Sequence, residues 1–209
     1  MNCVRFSPQS KIDASVKLLA SGGDGGVVFL WRPSTREAVK SDLNEDEDNN
    51  LEHWIAYATL NGQGQDIYDI CWSPNGDYLC TGLTDHSIQI WDVSQSKCVR
   101  SIMEHTHFVQ GVCWNFQGDN ICSASNDRSV KIYRFRKNSS DVHISKLCTI
   151  KKVENEDSKK RSMFVDETLA SFFRRINFSP DGLYLYSPAG ISDAGSNCVY
   201  IHSRNRLNK

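Results

Sequence analysis

An all-β fold assembled from repeated units is what this sequence predicts, and three observations carry the prediction. Two stretches match in a single register at an offset of 42 residues: Trp72 with Trp114, Gly76 with Gly118, Cys80 with Cys122, Asp85 with Asp127, Ile90 with Ile132 and Trp91 with Tyr133. Within a unit, short apolar or alternating runs such as Val130-Lys131-Ile132-Tyr133 are separated by polar turns such as Gln117-Gly118-Asp119, as half-buried strands and tight turns require. The same words return outside the matched pair: Val4-Arg5-Phe6-Ser7-Pro8 matches Ile70-Cys71-Trp72-Ser73-Pro74, and Phe178-Ser179-Pro180-Asp181-Gly182 repeats the turn near the C-terminus.

An offset of 42 falls in the ~40–45-residue window of the WD-repeat β-propeller, four strands per blade, and the Trp-Asp signature stands at Trp91-Asp92. The predicted architecture is a partial WD-repeat β-propeller of about four blades: residues 1–60, 61–103, 104–163 and 164–209. Four polar or aromatic positions resemble the buried hydrogen-bond tetrad of WD repeats, usually Asp, His, Ser and Trp, which ties a turn to its blade. In the third blade its members are His105, Ser123, Asp127 and Tyr133; a carboxylate accepts from an imidazole, which reaches a serine hydroxyl. In the second blade Gln63 takes the histidine position, with Thr81, Asp85 and Trp91. A half-satisfied network costs stability, so missing members matter.

Blade one begins inside its first strand at Val4, continues at Leu18–Gly23 and Val27–Trp31, and has Gly25 where the later blades have an aspartate, with Asp24 beside it. Residues 40–52 are acidic and aperiodic and read as a solvated loop, with an acidic lip for a basic partner as the sharper alternative. Trp54–Leu60 is an outer strand. Blade two has its first strand at Asp66–Trp72. In blade three the third strand ends at Tyr133, a polar loop carries Arg134, Arg136 and Lys137, and Lys146–Ile150 is the outer strand. Residues 151–163 read as a charged surface loop, in which Lys159-Lys160-Arg161 gives a weak nuclear-import signal. In blade four, 171–182 carry the first strand and its turn, Leu183–Tyr186 the second strand and Cys198–His202 the third. Pro188 breaks the pattern where the second strand would continue.

Composition narrows the function classes. A net charge of −1 gives no bias toward nucleic acid or membrane, and no stretch approaches the ~18 apolar residues of a membrane span. The N-terminus has no apolar run of signal-peptide length, so a soluble intracellular protein is expected. The eight cysteines fall in predicted strands without metal-binding or redox spacing, and they read as reduced, buried apolar residues. No phosphate loop, nucleophile motif or metal cluster is present, so no enzyme, cofactor or metal is expected. Ser123, His105 and Asp127 resemble a catalytic set, but a carboxylate recurring at one position in neighbouring blades argues for structure.

Generic WD repeats lack the run Thr168-Leu169-Ala170-Ser171-Phe172-Phe173-Arg174-Arg175 followed by Ser187-Pro188-Ala189-Gly190. Together with Ile67–Pro74, His107–Trp114 and Asn126–Val130, it resembles the WD-repeat subunit of chromatin assembly factor 1, and is similar in the same segments to the HIRA-type histone chaperone subunit. The Ser-Pro-Ala-Gly turn favours the former. The resemblance implies a nuclear, non-enzymatic subunit that deposits the central histones of the nucleosome on replicated or repaired DNA. It implies as partners a large subunit, a second WD-repeat histone-binding subunit and histones, direct or indirect. It implies no direct DNA binding and no membrane. A generic WD adaptor, for ubiquitin ligation or RNA processing, is the competing class. Family propellers have about seven blades, so the chain is expected to be a fragment or short form without the family's C-terminal tail. With two blade faces unpartnered, the isolated chain is expected to be marginally stable or insoluble.

Candidate partner-binding residues are Arg174, Arg175, Phe172, Phe173, Tyr68 and Arg128. For the arginines two readings stand. In-strand alternation points one inward and one outward, the exposed one to an acidic partner or subunit; or one stacks on Phe172 or Phe173, or braces adjacent blades by ion pairing. Tyr68 and Asp69 serve packing or recognition. His107 and Arg128 lie at blade turns, expected near a propeller rim.

Overall fold

The computed structural model describes residues 1–8, 17–34, 52–62, 64–139, 141–154, 160–169 and 171–207. Three four-stranded antiparallel sheets follow one another, each ordered as its strands occur in the chain. The first holds β1 (Cys3–Phe6), β2 (Leu19–Gly22), β3 (Val27–Ser34) and β4 (His53–Asn61). The second holds β5 (Ile67–Trp72), β6 (Tyr78–Leu83), β7 (Ile88–Asp92) and β8 (Lys97–Ile102). The third holds β9 (Val109–Trp114), β10 (Asn120–Ser125), β11 (Ser129–Lys137) and β12 (Val142–Ile150). A hairpin of β13 (Lys152–Glu154) and β14 (Lys160–Ser162) precedes a three-stranded sheet of β15 (Asn177–Phe178), β16 (Tyr184–Ile191) and β17 (Asn197–Ser203), and a short α1 (Arg204–Leu207) follows.

The leading strands β1, β5, β9 and β15 touch one after another, which makes the sheets successive blades of a partial β-propeller. Their apolar residues fill the gaps between blades. Val28, Leu30 and Leu60 meet Ile67, Ile70 and Leu79 between sheets one and two. Tyr78, Cys80, Ile88 and Ile90 meet Val109, Val112, Ile121 and Tyr133 between two and three. Cys122, Val130 and Ile132 meet Phe164, Ile176, Phe178 and Leu185 between three and four. Each fully buried Leu, Ile or Val adds about 1.5–3 kcal/mol relative to exposure, so a blade is stable only against its neighbour. A shared turn geometry repeats as well: Gly26, His86 and Arg128 occupy the same place before the third strand, with φ of 71°, 73° and 64°. That conformation suits glycine and is tolerated at cost by the other two.

Several expectations are corrected. The third strand of sheet three does not stop at Tyr133; it runs to Lys137, so Arg134, Arg136 and Lys137 lie in β11 paired with β12, which starts at Val142. The 151–163 stretch holds the β13–β14 hairpin among its described residues. Residues 171–176 form no strand; only Asn177–Phe178 pair with β16. Pro188 does not end its strand: β16 continues to Ile191, and the register shifts between Ser187 and Gly190. A bulge is one of the few places where a strand accepts a proline, because no ladder donor is needed there. Ala189, at φ 60°, completes the kink. All eight cysteines are free. Cys71 faces Cys80 and Cys113 faces Cys122 across their strands, a same-blade juxtaposition that comparison between blades does not reveal.

Candidate partner-binding surface

The turn Asn126–Arg128 sets Asp127 under the segment before β9. Asp127 Oδ2 lies 2.8 Å from His105 Nδ1 and accepts from the Thr106 amide, while Oδ1 accepts from the amide and hydroxyl of Ser129. His105 Nε2 lies 2.7 Å from Ser123 Oγ. Burial pushes the Asp127 carboxyl up, but the donors from His105 and Ser129 outweigh it and hold the group below its usual range. Burial lowers the His105 imidazole despite the carboxylate beside it. The pair is therefore a neutral imidazole donating from Nδ1 to a carboxylate, with Nε2 accepting from the serine. Ser123 and the His105 side chain are both at 0% exposure, so the nucleophile-like oxygen has no path to a substrate.

The network is incomplete at its aromatic end. The Tyr133 hydroxyl is buried with no hydrogen-bond partner, although Ser123 is near. In sheet two Trp91 Nε1 donates to Thr81 Oγ1 at 3.2 Å, and Asp85 accepts from the amide and hydroxyl of Ser87; Gln63 lies outside the described residues. Sheet one has the equivalent Trp31 Nε1 donating to Ser21 Oγ at 2.8 Å, while Asp24 accepts from Asn2 instead. In sheet four Ser187 Oγ lies 2.8 Å from His202 Nε2; His202 stands at the tryptophan position of the repeat, as its sequence pattern indicates, but Pro188 hides the strand that carries Ser187. A signal for it exists: Ser187 follows Ser179 by the same eight residues that separate Thr81 from Ser73. Asp69, 1% exposed, joins three sheets, accepting from Arg5 Nη2 at 2.8 Å and from the Val112 amide at 3.1 Å. Burial raises its carboxyl against the pull of Arg5.

The two arginines divide their work. Neither lies in a strand. Arg174 is buried, and its amide donates to Gln110 O. Its guanidinium donates to Gln110 Oε1, Asn126 Oδ1, Val165 O and Asp166 O at 2.6–2.8 Å. It braces the approach to sheet four against sheet three through hydrogen bonds rather than the ion pair expected of a brace. Gly111 makes the approach possible, because a Cβ there would meet Arg174 O at 2.1 Å. Arg175 is exposed, sits 4.6 Å over the Phe173 ring and donates to Asn2 O across the molecule. Arg128 is tied to Phe164 O at 3.0 Å and faces Asp166 at 3.9 Å.

Phe172, Phe173 and Tyr68 come together with a residue that no sequence pattern singles out, Phe108. Tyr68 stands edge-on to Phe108 at 6.0 Å and to Phe173 at 6.4 Å, and His86 and His107 extend the cluster at Phe108. Phe172 is 71% and Phe108 39% exposed. Between them opens a pocket of about 380 Å³, with Gln110 and Asn126 among its lining and Glu167 as the charged side chain among the described residues that line it. The basic run resolves differently: Arg161 is engaged by Asp193 and Ile191 O, and Lys159 lies outside the described residues, as does the acidic segment up to residue 51. Among the described residues no group of three or more His, Cys, Asp or Glu is placed to hold a metal, and no helix is long and apolar enough to cross a membrane.

Residues 1–209 match the family model described as the CAF1B/HIR1 beta-propeller domain. A chromatin assembly factor 1 subunit of Mus musculus is 37% identical over 215 residues, covering 100% of this chain and 36% of the relative. Its namesake in Saccharomyces cerevisiae is 32% identical over 231 residues, covering 99% and 48%. Protein HIR1 of Candida albicans is 30% identical over 189 residues, covering 88% and 19%. The chain thus spans about a fifth to a half of the length of these relatives.

Proposed function

The chain belongs to the CAF1B/HIR1 β-propeller family, and from that premise we propose that it is a non-enzymatic scaffold subunit of a nuclear histone-chaperone complex serving replication- or repair-coupled nucleosome assembly. The observation that carries the reading is the family match over the whole chain. The chemistry supports it. The Ser-His-Asp arrangement is sealed from solvent, while the aromatic cluster of exposed Phe108 and Phe172 with half-buried Tyr68 and Phe173 has the anatomy of a protein interface, with aromatic anchors beside an arginine. The partners are a large chaperone subunit, a second WD-repeat histone-binding subunit and histones held directly or through them. The HIR1-type, replication-independent role is the second reading, supported by the likeness to HIR1.

The test is co-purification of the tagged chain from nuclear extract. The replication-coupled reading expects the large subunit of chromatin assembly factor 1 and histones. Recovery of HIR-complex subunits instead moves the chain to the second reading. Recovery of neither histones nor chaperone subunits, with folded bait, overturns both in favour of a generic adaptor.

A further inference from the structure

We propose that the pocket bounded by Tyr68, Phe108 and Phe172 receives the cationic end of a lysine or arginine side chain on a basic polypeptide segment. The proposal deepens the scaffold reading and rests on it for the identity of the surface. Three observations lead to it. Aromatic faces present partial negative charge to a cation within about 6 Å of a ring centroid, and here three rings stand around one recess, Tyr68 and Phe108 at 84° to each other. Glu167, exposed at the recess, supplies a carboxylate, and the other lining residues are uncharged. The chain already shows the preference of this cluster: its own Arg175 lies 4.6 Å over Phe173, the ring next to Tyr68. The remaining rings carry no such guest from the described residues, and the recess is of a volume that takes one long side chain.

The neighbouring cations are each engaged within the chain, and the Asp166 and Asp127 carboxylates act on the charge of Arg174. The Arg174 guanidinium is buried and occupied by four acceptors. Arg128 faces Asp166 and Phe164 O. Arg175 is turned to Phe173 and Asn2 O. Gln110 holds the floor by donating to Phe172 O at 3.1 Å, which fixes the rim ring's backbone.

The experiment is an NMR titration of the full chain, with selectively labelled Tyr and Phe, by capped pentapeptides whose central residue is lysine, arginine, norleucine or citrulline. The lysine and arginine peptides are expected to shift the Tyr68, Phe108 and Phe172 ring signals. The neutral isosteres are expected to bind at least about tenfold more weakly, the factor a cation–π and carboxylate contribution of about 1.4 kcal/mol gives. Phe172→Ala and Glu167→Gln, both at exposed positions that leave the fold intact, are each expected to weaken binding severalfold. Equal binding of charged and neutral peptides, shifts confined to other residues, or no saturable shift up to about 10 mM overturns the proposal. Capture of chaperone subunits by wild type with no peptide binding refutes the pocket alone; peptide binding without such capture refutes the scaffold reading alone.

Discussion

Replacing Asp127 with alanine removes the hub of the polar network in sheet three. Four donors lose their acceptor: His105 Nδ1–H, the Thr106 amide, and the amide and hydroxyl of Ser129. The His105 side chain is fully buried, so water does not replace the carboxylate there. An orphaned buried donor costs about 1–3 kcal/mol, and bonds to a charged acceptor lie at the upper end. Thr106 is exposed and its amide recovers part of the loss from water, whereas Ser129 is buried and does not. The expected cost of Asp127→Ala is about 2–4 kcal/mol, or a drop of roughly 4–16 °C in melting temperature for a chain of this size. Asp127→Asn keeps an acceptor and the shape, and costs less than half as much. The assay is urea unfolding followed by tryptophan fluorescence, comparing midpoints at equal m-value. An alanine variant within about 0.5 kcal/mol of wild type means that the carboxylate bears no buried network, and the reasoning fails.

The same geometry makes further predictions. Tyr133→Phe deletes a buried hydroxyl with no partner, so stability stays unchanged or rises by up to about 1 kcal/mol in the same assay; a loss of that size shows a bond the structure does not contain. Gly111→Ala forces a Cβ onto Arg174 O and lowers stability by about 3 kcal/mol, with a normal melting curve as the contrary result. Arg174→Ala costs about 2–4 kcal/mol through its lost acceptor set, whereas Arg175→Ala costs under about 1 kcal/mol; equal effects contradict the division of labour between them. Burial lowers the pKa of both His105 and His202 below the ordinary 6.5. The unfolded chain therefore binds these protons first, and the stability present above pH 6.5 is lost as pH falls from there. The depressed Asp127 carboxyl has the same sign but acts only below about pH 4. Urea midpoints at pH 7.5, 6.0 and 5.0 are expected to fall, and to fall less steeply in His202→Gln; a rise on acidification to pH 5 contradicts this.

The interior repeat was legible because burial acts alike on every blade. Ile90 and Ile132 fill equivalent gaps, and their spacing announces it. Features outside the repeat leave a weaker signal in the sequence. Arg174 and Arg175 look like successive strand residues, but the close approach of Gly111 draws the Arg174 backbone onto Gln110 instead of into a sheet. Pro188 looks like a stop because propensity does not reveal a bulge. Phe108 did not stand out, since its neighbours Tyr68 and Phe172 lie 40 and 64 residues away and only packing brings them together. Asp69 was visible as a residue but not as a tie between three sheets, because its partners Arg5 and Val112 sit in other blades.

The stack of interlocked blades is proposed to present its aromatic cluster to a chaperone partner. Hydrogen-exchange mass spectrometry of the chain, with and without the purified large subunit of chromatin assembly factor 1, tests it most directly. Slowed exchange on binding is expected in segments 66–68, 106–110 and 165–175, which carry Tyr68, Phe108 and Phe172. Protection confined to the outer strands β8 and β12, or no change at saturating partner, contradicts the account.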